Sequence, residues 1–355
     1  MSYIVELIDP LTDPRWDQFV ESHPFGTIYH TSSWMEVIEL SFKHIKGQVV
    51  ALKNDDSQIV AGLPIYVVES WLTGRRIVSA PFATVFDPLI SGEEELRMLL
   101  DALMKLYEEK RCKYIEINVK NTTEFFGEYH TLNVEMYFKR HYLILSNPKE
   151  LKKTFHRTCI RRNINRSLKY GLGFSSGETN FHLKQFLHLY SQTRKRLGLP
   201  IQPFGFFDNL LRILLRKKRV SIFLVQKDRH YIASVVALKY KDTFSLEYLG
   251  YDVNFNNFYP TQFLYWNVIQ QAYANGYRIL DFGRTSIDNQ GLLTFKKRWG
   301  TYEEDLPKIY YPEWMGNFSE RRAHSVRYKI LNKVFRIIPV AISTHISRLL
   351  YHHMG

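Results

Sequence analysis

One stretch concentrates side chains whose types and spacing could do chemistry. It reads Asp281-Phe282-Gly283-Arg284-Thr285-Ser286, then Gly291-Leu292-Leu293-Thr294-Phe295-Lys296-Lys297-Arg298-Trp299-Gly300. A strand-like run ends at Phe282, and Gly283 permits a tight turn. The turn would present Asp281, Arg284, Thr285 and Ser286 at a strand end. Lys296, Lys297 and Arg298 follow, bracketed by Phe295 and Trp299. Aromatic anchors of this kind can hold a segment while its cations point at an anion or at a developing oxyanion. On residue types alone, a solvated basic loop beside two core aromatics explains the cluster equally well.

A second cationic group lies upstream. Ile160, Ile164 and Leu168 recur at the spacing of one helix face, and Arg157, Arg161, Arg162, Arg166 and Lys169 fill the rest of the turn. Such a face can dock the phosphates of a donor, whether coenzyme A or the acceptor stem of a tRNA. It can equally be the solvated outside of a packed helix. Further on, Phe258-Tyr259-Pro260-Thr261 joins a strand to a helix. Backbone amides at a helix start suit an anion, which makes Thr261 a donor-side candidate.

The elements that must position these groups can be read from periodicity. Gly47 to Lys53, Gln58 to Val68 and Tyr114 to Val119 read as strands, and Glu93 to Lys110 as an amphipathic helix. Tyr142 to Leu145 reads as another strand. The pattern breaks at Ser146-Asn147-Pro148, where a second unit opens with a helix from Lys149 to Tyr170 stopped by Gly171. A helix from Phe181 to Leu197 follows. Strands Val220 to Gln226, Tyr231 to Tyr240 and Phe244 to Tyr251 come next, then a helix from Thr261 to Ala274 and a strand from Arg278 to Phe282. The first half has a similar, looser order, which suggests a duplicated fold.

Bulk properties narrow the class. A chain of 355 residues can hold two domains. With 45% hydrophobic and 23% charged residues, wholesale disorder is excluded. The net charge of +13 favours anionic partners, namely nucleic acid, phosphorylated cofactors or anionic lipid. Cys112 and Cys159 form no Cys-x-x-Cys pair, so a zinc ribbon is excluded and reduced thiols in a cytosolic protein are expected. The scattered histidines offer no metal spacing, so no metal is expected. Met1 to Pro10 reads as no secretory signal, and no apolar run approaches the roughly 18 residues needed to span a bilayer.

The Asp281 to Gly300 segment resembles the signature of the Fem-related acyltransferases, tandem acetyltransferase-fold proteins that include the peptidoglycan-bridge aminoacyltransferases. Trp299 stands where those enzymes have a second Phe. Thr27-Ile28-Tyr29-His30-Thr31-Ser32-Ser33-Trp34 is similar to the family's N-terminal strand-turn-helix. Arg157 to Gly171 is similar to the basic helix that opens its second half. The likeness touches points from Thr27 to Gly300. One departure is Asn118-Val119, which stands where the Fem enzymes have an acid and a proline. This favours the broader set tied to exopolysaccharide and envelope work over the muropeptide-specific enzymes.

The resemblance implies an α/β (α+β) fold of two acetyltransferase (GNAT)-like domains, here 1–147 and 148–312, with a tail at 313–355. It implies amide formation on an amino-sugar or peptide amine of an envelope or polysaccharide precursor. The donor would be acyl-CoA or an aminoacyl-tRNA, with no tightly bound cofactor. Lys296 is expected as the cation nearest the reacting carbonyl, and Asp281, Arg284, Ser286, Arg298 and Trp299 as substrate-binding. Arg284 would grip an anionic part of the acceptor, with Asp281 orienting Arg284 or a backbone turn. Arg157, Arg161 and Thr261 are expected on the donor. Acetyltransferases bind pyrophosphate at the turn that Phe258 to Thr261 occupies, yet the usual glycine-rich pattern is missing there, which weakens ordinary coenzyme A binding.

The tail from Phe318 mixes Arg321, Arg322, Arg327, Lys329, Lys333, Arg336 and Arg348 with many aliphatics, and Pro339 divides it into two helices. A basic amphipathic segment reads as lying on an anionic membrane surface, or as a helix folded back on the body. A cytoplasmic enzyme, peripheral at the inner face of the membrane, is the expectation. The competing class is a non-catalytic basic RNA-binding or membrane-surface scaffold, which explains the charge but not the Asp281 to Gly300 signature.

Overall fold

A computed structural model describes residues 3–127, 129, 131–312 and 318–354. The chain divides into two compact units, one of residues 1–138, 305–325 and 349–355, the other of 139–304 and 326–348. The expected start of the tail at residue 313 lies outside the described residues.

The first unit begins with β1 (Ile4–Ile8), α1 (Pro14–Ser22) and α2 (Ser32–Ser41). It continues through β2 (Ile45–Lys53), β3 (Ile59–Val68), β4 (Arg76–Val78), α3 (Glu93–Glu109) and β5 (Ile115–Asn118). The chain passes to the second unit within β6 (Asn133–Ile144). There it forms α4 (Pro148–Thr154), α5 (Arg162–Ser167), β7 (Gly173–Gly177), α6 (Asn180–Leu197), α7 (Phe204–Arg216), β8 (Val220–Lys227), β9 (His230–Tyr240), β10 (Thr243–Tyr251), α8 (Pro260–Ala274), β11 (Ile279–Ser286) and α9 (Gln290–Lys297). It returns within β12 (Tyr302–Tyr311) to α10 (Phe318–His324) of the first unit. Of the last two helices, α11 (Val326–Ile337) and most of α12 (Val340–Tyr351) belong to the second.

The two units repeat one pattern. In the first, the strand order is β1-β2-β3-β4-β5-β12, antiparallel except for the parallel β4–β5 pair that α3 bridges. In the second, the order is β6-β11-β10-β9-β8-β7, with β8, β9 and β10 an antiparallel meander and β10–β11 a parallel pair bridged by α8. A parallel neighbour cannot be reached by a hairpin, so each unit needs its crossover helix. Burial follows from this. Strands β8 and β9 carry near-continuous apolar runs because helices cover the sheet, and Phe223, Val235, Phe244, Leu264, Ile269 and Leu280 form one core. The fold is the tandem GNAT-like α/β arrangement expected.

Several elements differ from their sequence reading. The helix expected from Lys149 to Tyr170 is broken. α4 stops at Thr154, a π-helical turn occupies Arg157–Arg161, and α5 follows. His156 causes the break, because its ring accepts from the Cys159 N–H at 3.3 Å and its carbonyl takes both Ile160 N and Arg161 N. Thr27 to Trp34 contains no strand; Ile28–His30 is a single 3-10 turn running into α2. β11 runs on past Phe282 to Ser286. The helices α1, α7 and α9 and the strands β1, β4, β7 and β12 were not foreseen.

Candidate active site

β10 and β11 keep their parallel register only from Thr243↔Ile279 to Ser245↔Asp281. Beyond it, β10 carries an extra residue, Glu247, between the pairs Leu246↔Ala237 and Tyr248↔Val236. β11 meanwhile passes through Gly283 at φ +74. A Cβ at 283 would sit 3.6 Å from the Leu246 carbonyl oxygen, so there is room for one, and the left-handed backbone is what selects glycine. Here the Lys296 ammonium enters, Nζ donating to the Gly283 carbonyl at 2.7 Å and the Arg284 carbonyl at 3.3 Å.

α9 aims this lysine. The Asn289 side chain caps the helix by accepting from Leu292 N, and Leu293 and Lys296, three residues apart, turn the same face inward. Directly after the helix, Trp299 is fully buried, with its ring against Phe155 at 5.2 Å, Tyr265 at 5.6 Å and Phe282 at 6.0 Å. Phe295 flanks it at 6.3 Å. Trp299 therefore belongs to the floor under Lys296 and presents no open face. Burial pushes the Lys296 amine down to about 8, against the opposing pull of the Asp281 and Glu247 carboxylates.

Asp281 is buried inside β11, not at its end. One carboxylate oxygen accepts from Gly283 N at 2.6 Å and the other from Arg140 Nε at 2.5 Å. It thus holds the backbone turn and a second arginine. Arg140 also reaches Glu304 at 3.2 Å and lies over the Tyr142 ring. Burial works against its charge, yet the Asp281 and Glu304 carboxylates prevail and raise its pKa further. Arg284 and Ser286 are half-buried on the same strand, and Arg298 and Lys297 are exposed. Lys297 pairs with Glu303 at 2.9 Å.

Arg157 and Arg161 come together in a cleft of about 660 Å³, lined also by Thr158, Arg162, Asn165, Arg166 and Lys169. The π-helical turn places them there. Arg166 donates to the Tyr259 hydroxyl at 3.0 Å, and Tyr259, at φ +55, caps α8. Thr261 stands in the first turn of that helix and is not among the cleft's lining residues.

The acetyltransferase (GNAT) domain family matches residues 154–297. A UDP-N-acetylmuramoylpentapeptide-lysine N(6)-alanyltransferase of Weissella viridescens is 20% identical, the match covering 87% of this chain and 95% of that one. The crystal structure of FemX superposes with a TM-score of 0.72 at 17% identity, covering 91% of this chain and all of FemX. A tandem GNAT protein of the clavulanic acid pathway gives a TM-score of 0.57 at 8% identity over 86% of this chain and 98% of that one. L-PGS of Bacillus licheniformis gives 0.56 at 12% identity, over 94% and 99%. The chain carries an acetyltransferase (GNAT) domain and has the tandem GNAT-like fold of FemX.

In this FemX-like fold the floor and the strand opening also hold polar atoms without partners. Thr285 Oγ1 and Trp299 Nε1 are buried without a hydrogen-bond partner among the described residues. A buried polar atom left unmatched is costly. His141, on β6 next to Arg140, is fully buried, and its ring lies 3.1 Å from Glu303. Burial, helped by the Lys296 charge, lowers its pKa to about 4, so it is neutral near pH 7. The sequence reading missed Arg140, His141, Glu247, Glu303 and Glu304. The one available signal was the run Lys139-Arg140-His141-Tyr142 on a strand, matched by the Glu303-Glu304 pair. Nothing local says that β6 and β12 bring them together.

Proposed function

We propose that this acyltransferase moves an aminoacyl group from an aminoacyl-tRNA to a peptide amine of a cell-wall precursor. The observation that carries this reading is the conjunction of Lys296 with the cationic cleft. The attacking amine forms a C–N bond to the carbonyl of the aminoacyl ester. The ester C–O bond then breaks, and the terminal ribose oxygen of the tRNA leaves with the proton the amine gives up. Of the three N–H groups of a lysine ammonium, Lys296 commits two to carbonyls, and the third is the donor for the oxyanion. Asp281 holds the Gly283 turn that supplies one of those carbonyls, and Arg284 and Ser286 face the acceptor from the same strand.

The donor side favours a polynucleotide. Arg157, Arg161, Arg162, Arg166 and Lys169 spread positive charge along a cleft, which suits a chain of phosphates. A single pyrophosphate would be gripped by free backbone amides at a helix start. Here Pro260 opens α8 and has no N–H to offer, and no glycine lies in the turn before it. Thr261 would then touch the donor's terminal nucleotide. The Weissella relative, named for alanine transfer to the lysine of a UDP-linked muramoyl pentapeptide, suggests the acceptor class. The Asn118-Val119 departure bears on which stem-peptide amine is taken, since Asn118 is engaged with Ser79 and Ala80 inside the first unit.

The test offers the purified protein UDP-linked muramoyl pentapeptide with labelled aminoacyl-tRNA in one arm and labelled acetyl-CoA in the other. Label from the tRNA should appear on the peptide. Label only from acetyl-CoA would overturn the donor assignment, and label on neither peptide arm but on an amino-sugar would overturn the acceptor.

A further inference from the structure

The structure shows how α11 divides its surface. Tyr328, Leu331, Asn332 and Phe335 point to the body, and Phe335 is fully buried. The helix packs on α6 so closely that a Cβ at Gly198 would lie 2.4 Å from the Asn332 carbonyl. α12 is tied down as well, through the Ile201 N–H donating to the Ser347 hydroxyl at 2.9 Å. These contacts fix which face of α11 looks outward.

That outward face carries four exposed aliphatics, Val326 at 71%, Ile330 at 57%, Val334 at 40% and Ile337 at 78% relative exposure. At about 100° per residue their spacing puts them in one stripe along the helix. Lys329, Lys333 and Arg336 run along one side of the stripe and Arg327 along the other, all exposed. From Arg321 to Gly355 the chain holds seven Lys and Arg residues and no Asp or Glu. A solvated helix face has no reason to align its aliphatics at the centre. A protein groove has no reason to demand cations on both flanks with no acid among them. A phosphodiester backbone would engage the cations and leave the aliphatics wet. An anionic bilayer surface satisfies both, its headgroups meeting the cations while the stripe enters the acyl boundary.

We propose that the outer face of α11 docks this enzyme on an anionic lipid surface, with Val326, Ile330, Val334 and Ile337 inserted and Arg327, Lys329, Lys333 and Arg336 on the headgroups. The proposal goes beyond the acyl-transfer reading and does not depend on it. A helix lying in the interface plane requires no membrane-spanning segment, and among the described residues no helix is long and apolar enough to cross a membrane.

The full chain is sedimented with vesicles of phosphatidylcholine alone and of phosphatidylcholine and phosphatidylglycerol in equal parts. The variants are Ile330→Ser with Ile337→Ser, Lys329→Gln with Lys333→Gln, and Arg161→Glu in the cleft. A single-stranded RNA is titrated in parallel. The native chain should bind only the anionic vesicles. Both α11 variants should weaken that binding on the order of tenfold or more, with the thermal midpoint unchanged because the replaced side chains are exposed. Three results would overturn the proposal: no vesicle binding by the native chain, vesicle binding lost in Arg161→Glu but kept in both α11 variants, or α11 variants that lose RNA and keep vesicles. A fall in midpoint for both α11 variants would also overturn it, since the face would then belong to the core.

Discussion

Each unit encloses a lysine in its sheet region, half-buried Lys308 in the first and buried Lys296 in the second, and the two are solvated differently. In the first unit Lys308 of β12 forms an ion pair with Glu116 of β5, and the Tyr310 hydroxyl donates to the same carboxylate at 3.2 Å. In the second, Lys296 has, among the described residues, no carboxylate in hydrogen-bond contact and donates instead to two backbone carbonyls, with Asp281 and Glu247 acting from farther off. A lysine neutralised by a touching carboxylate contributes to the fold and has little left to offer a ligand. A lysine hydrogen-bonded only to carbonyls has an N–H left for a ligand, and burial, outweighing the more distant Asp281 and Glu247, brings its amine to about 8, near working pH. On the proposed mechanism, the kind of partner, and not burial alone, is what singles out Lys296.

Replacing each lysine by methionine is the sharpest way to break this comparison. Lys296→Met should lower kcat about a hundred- to a thousandfold, the usual effect of removing one positioned oxyanion donor, read in the transfer assay. Lys308→Met should leave kcat near native and instead cost about 3 kcal/mol of stability, because Glu116 keeps its charge without its partner; denaturant unfolding measures this. If the two variants behaved alike in either assay, the contrast would collapse. Lys296→Met should also lower the thermal midpoint somewhat, since the Gly283 and Arg284 carbonyls lose their donor.

The pH dependence sharpens the same point. If the cation stabilises the oxyanion, kcat should fall as pH rises through about 8, where Lys296 loses its proton. A rate that rises through that pH would make the neutral amine a base. Stability should move the other way. The folded pKa lies below that of the unfolded chain, so between about 8 and the ordinary lysine range the unfolded state holds the extra proton, and stability increases with pH there. His141, also depressed, adds a loss of stability as pH falls from the usual histidine range toward about 4. Calorimetry across pH reads both.

Smaller effects should come from the turn and the exposed neighbour. Gly283→Ala places a Cβ at φ +74 with room around it, so it should cost about 1–2 kcal/mol through backbone conformation alone and reduce kcat by disturbing the carbonyl that holds Lys296. Lys297→Met removes an exposed pair with Glu303, which keeps Lys139 as a partner at 3.1 Å, and should change stability by no more than about 0.5 kcal/mol and kcat hardly at all. Equal, salt-sensitive losses at Lys296 and Lys297 would return the cluster to bulk electrostatics.

Much of the second unit was legible. Strands β8, β9 and β10 alternate or run apolar between turn residues at Asp228 and Lys241-Asp242, and α8 sits between Pro260 and the Asn275-Gly276 stop, so local periodicity and punctuation suffice. The helix expected over Lys149 to Tyr170 was misread because its apolar spacing survives the break at His156. What interrupts it is a side chain bonding the backbone, which periodicity does not register.

What the sequence determined by itself is the composition of the site: a glycine between Asp281 and Arg284 that permits a turn, the three cations Lys296, Lys297 and Arg298, aromatics on either side, and an arginine-rich helical segment upstream. Side-chain chemistry and helical period are local properties, so they can be read in order along the chain. What tertiary structure alone decided is which of these groups meet. Asp281 pairs with Arg140, which lies 141 residues away, and not with Arg284 three residues on. Lys296 is buried with carbonyls for partners while Lys297 beside it is exposed and paired. Partner choice and desolvation depend on which strands become neighbours and where their register ends, and neither is written in any single segment.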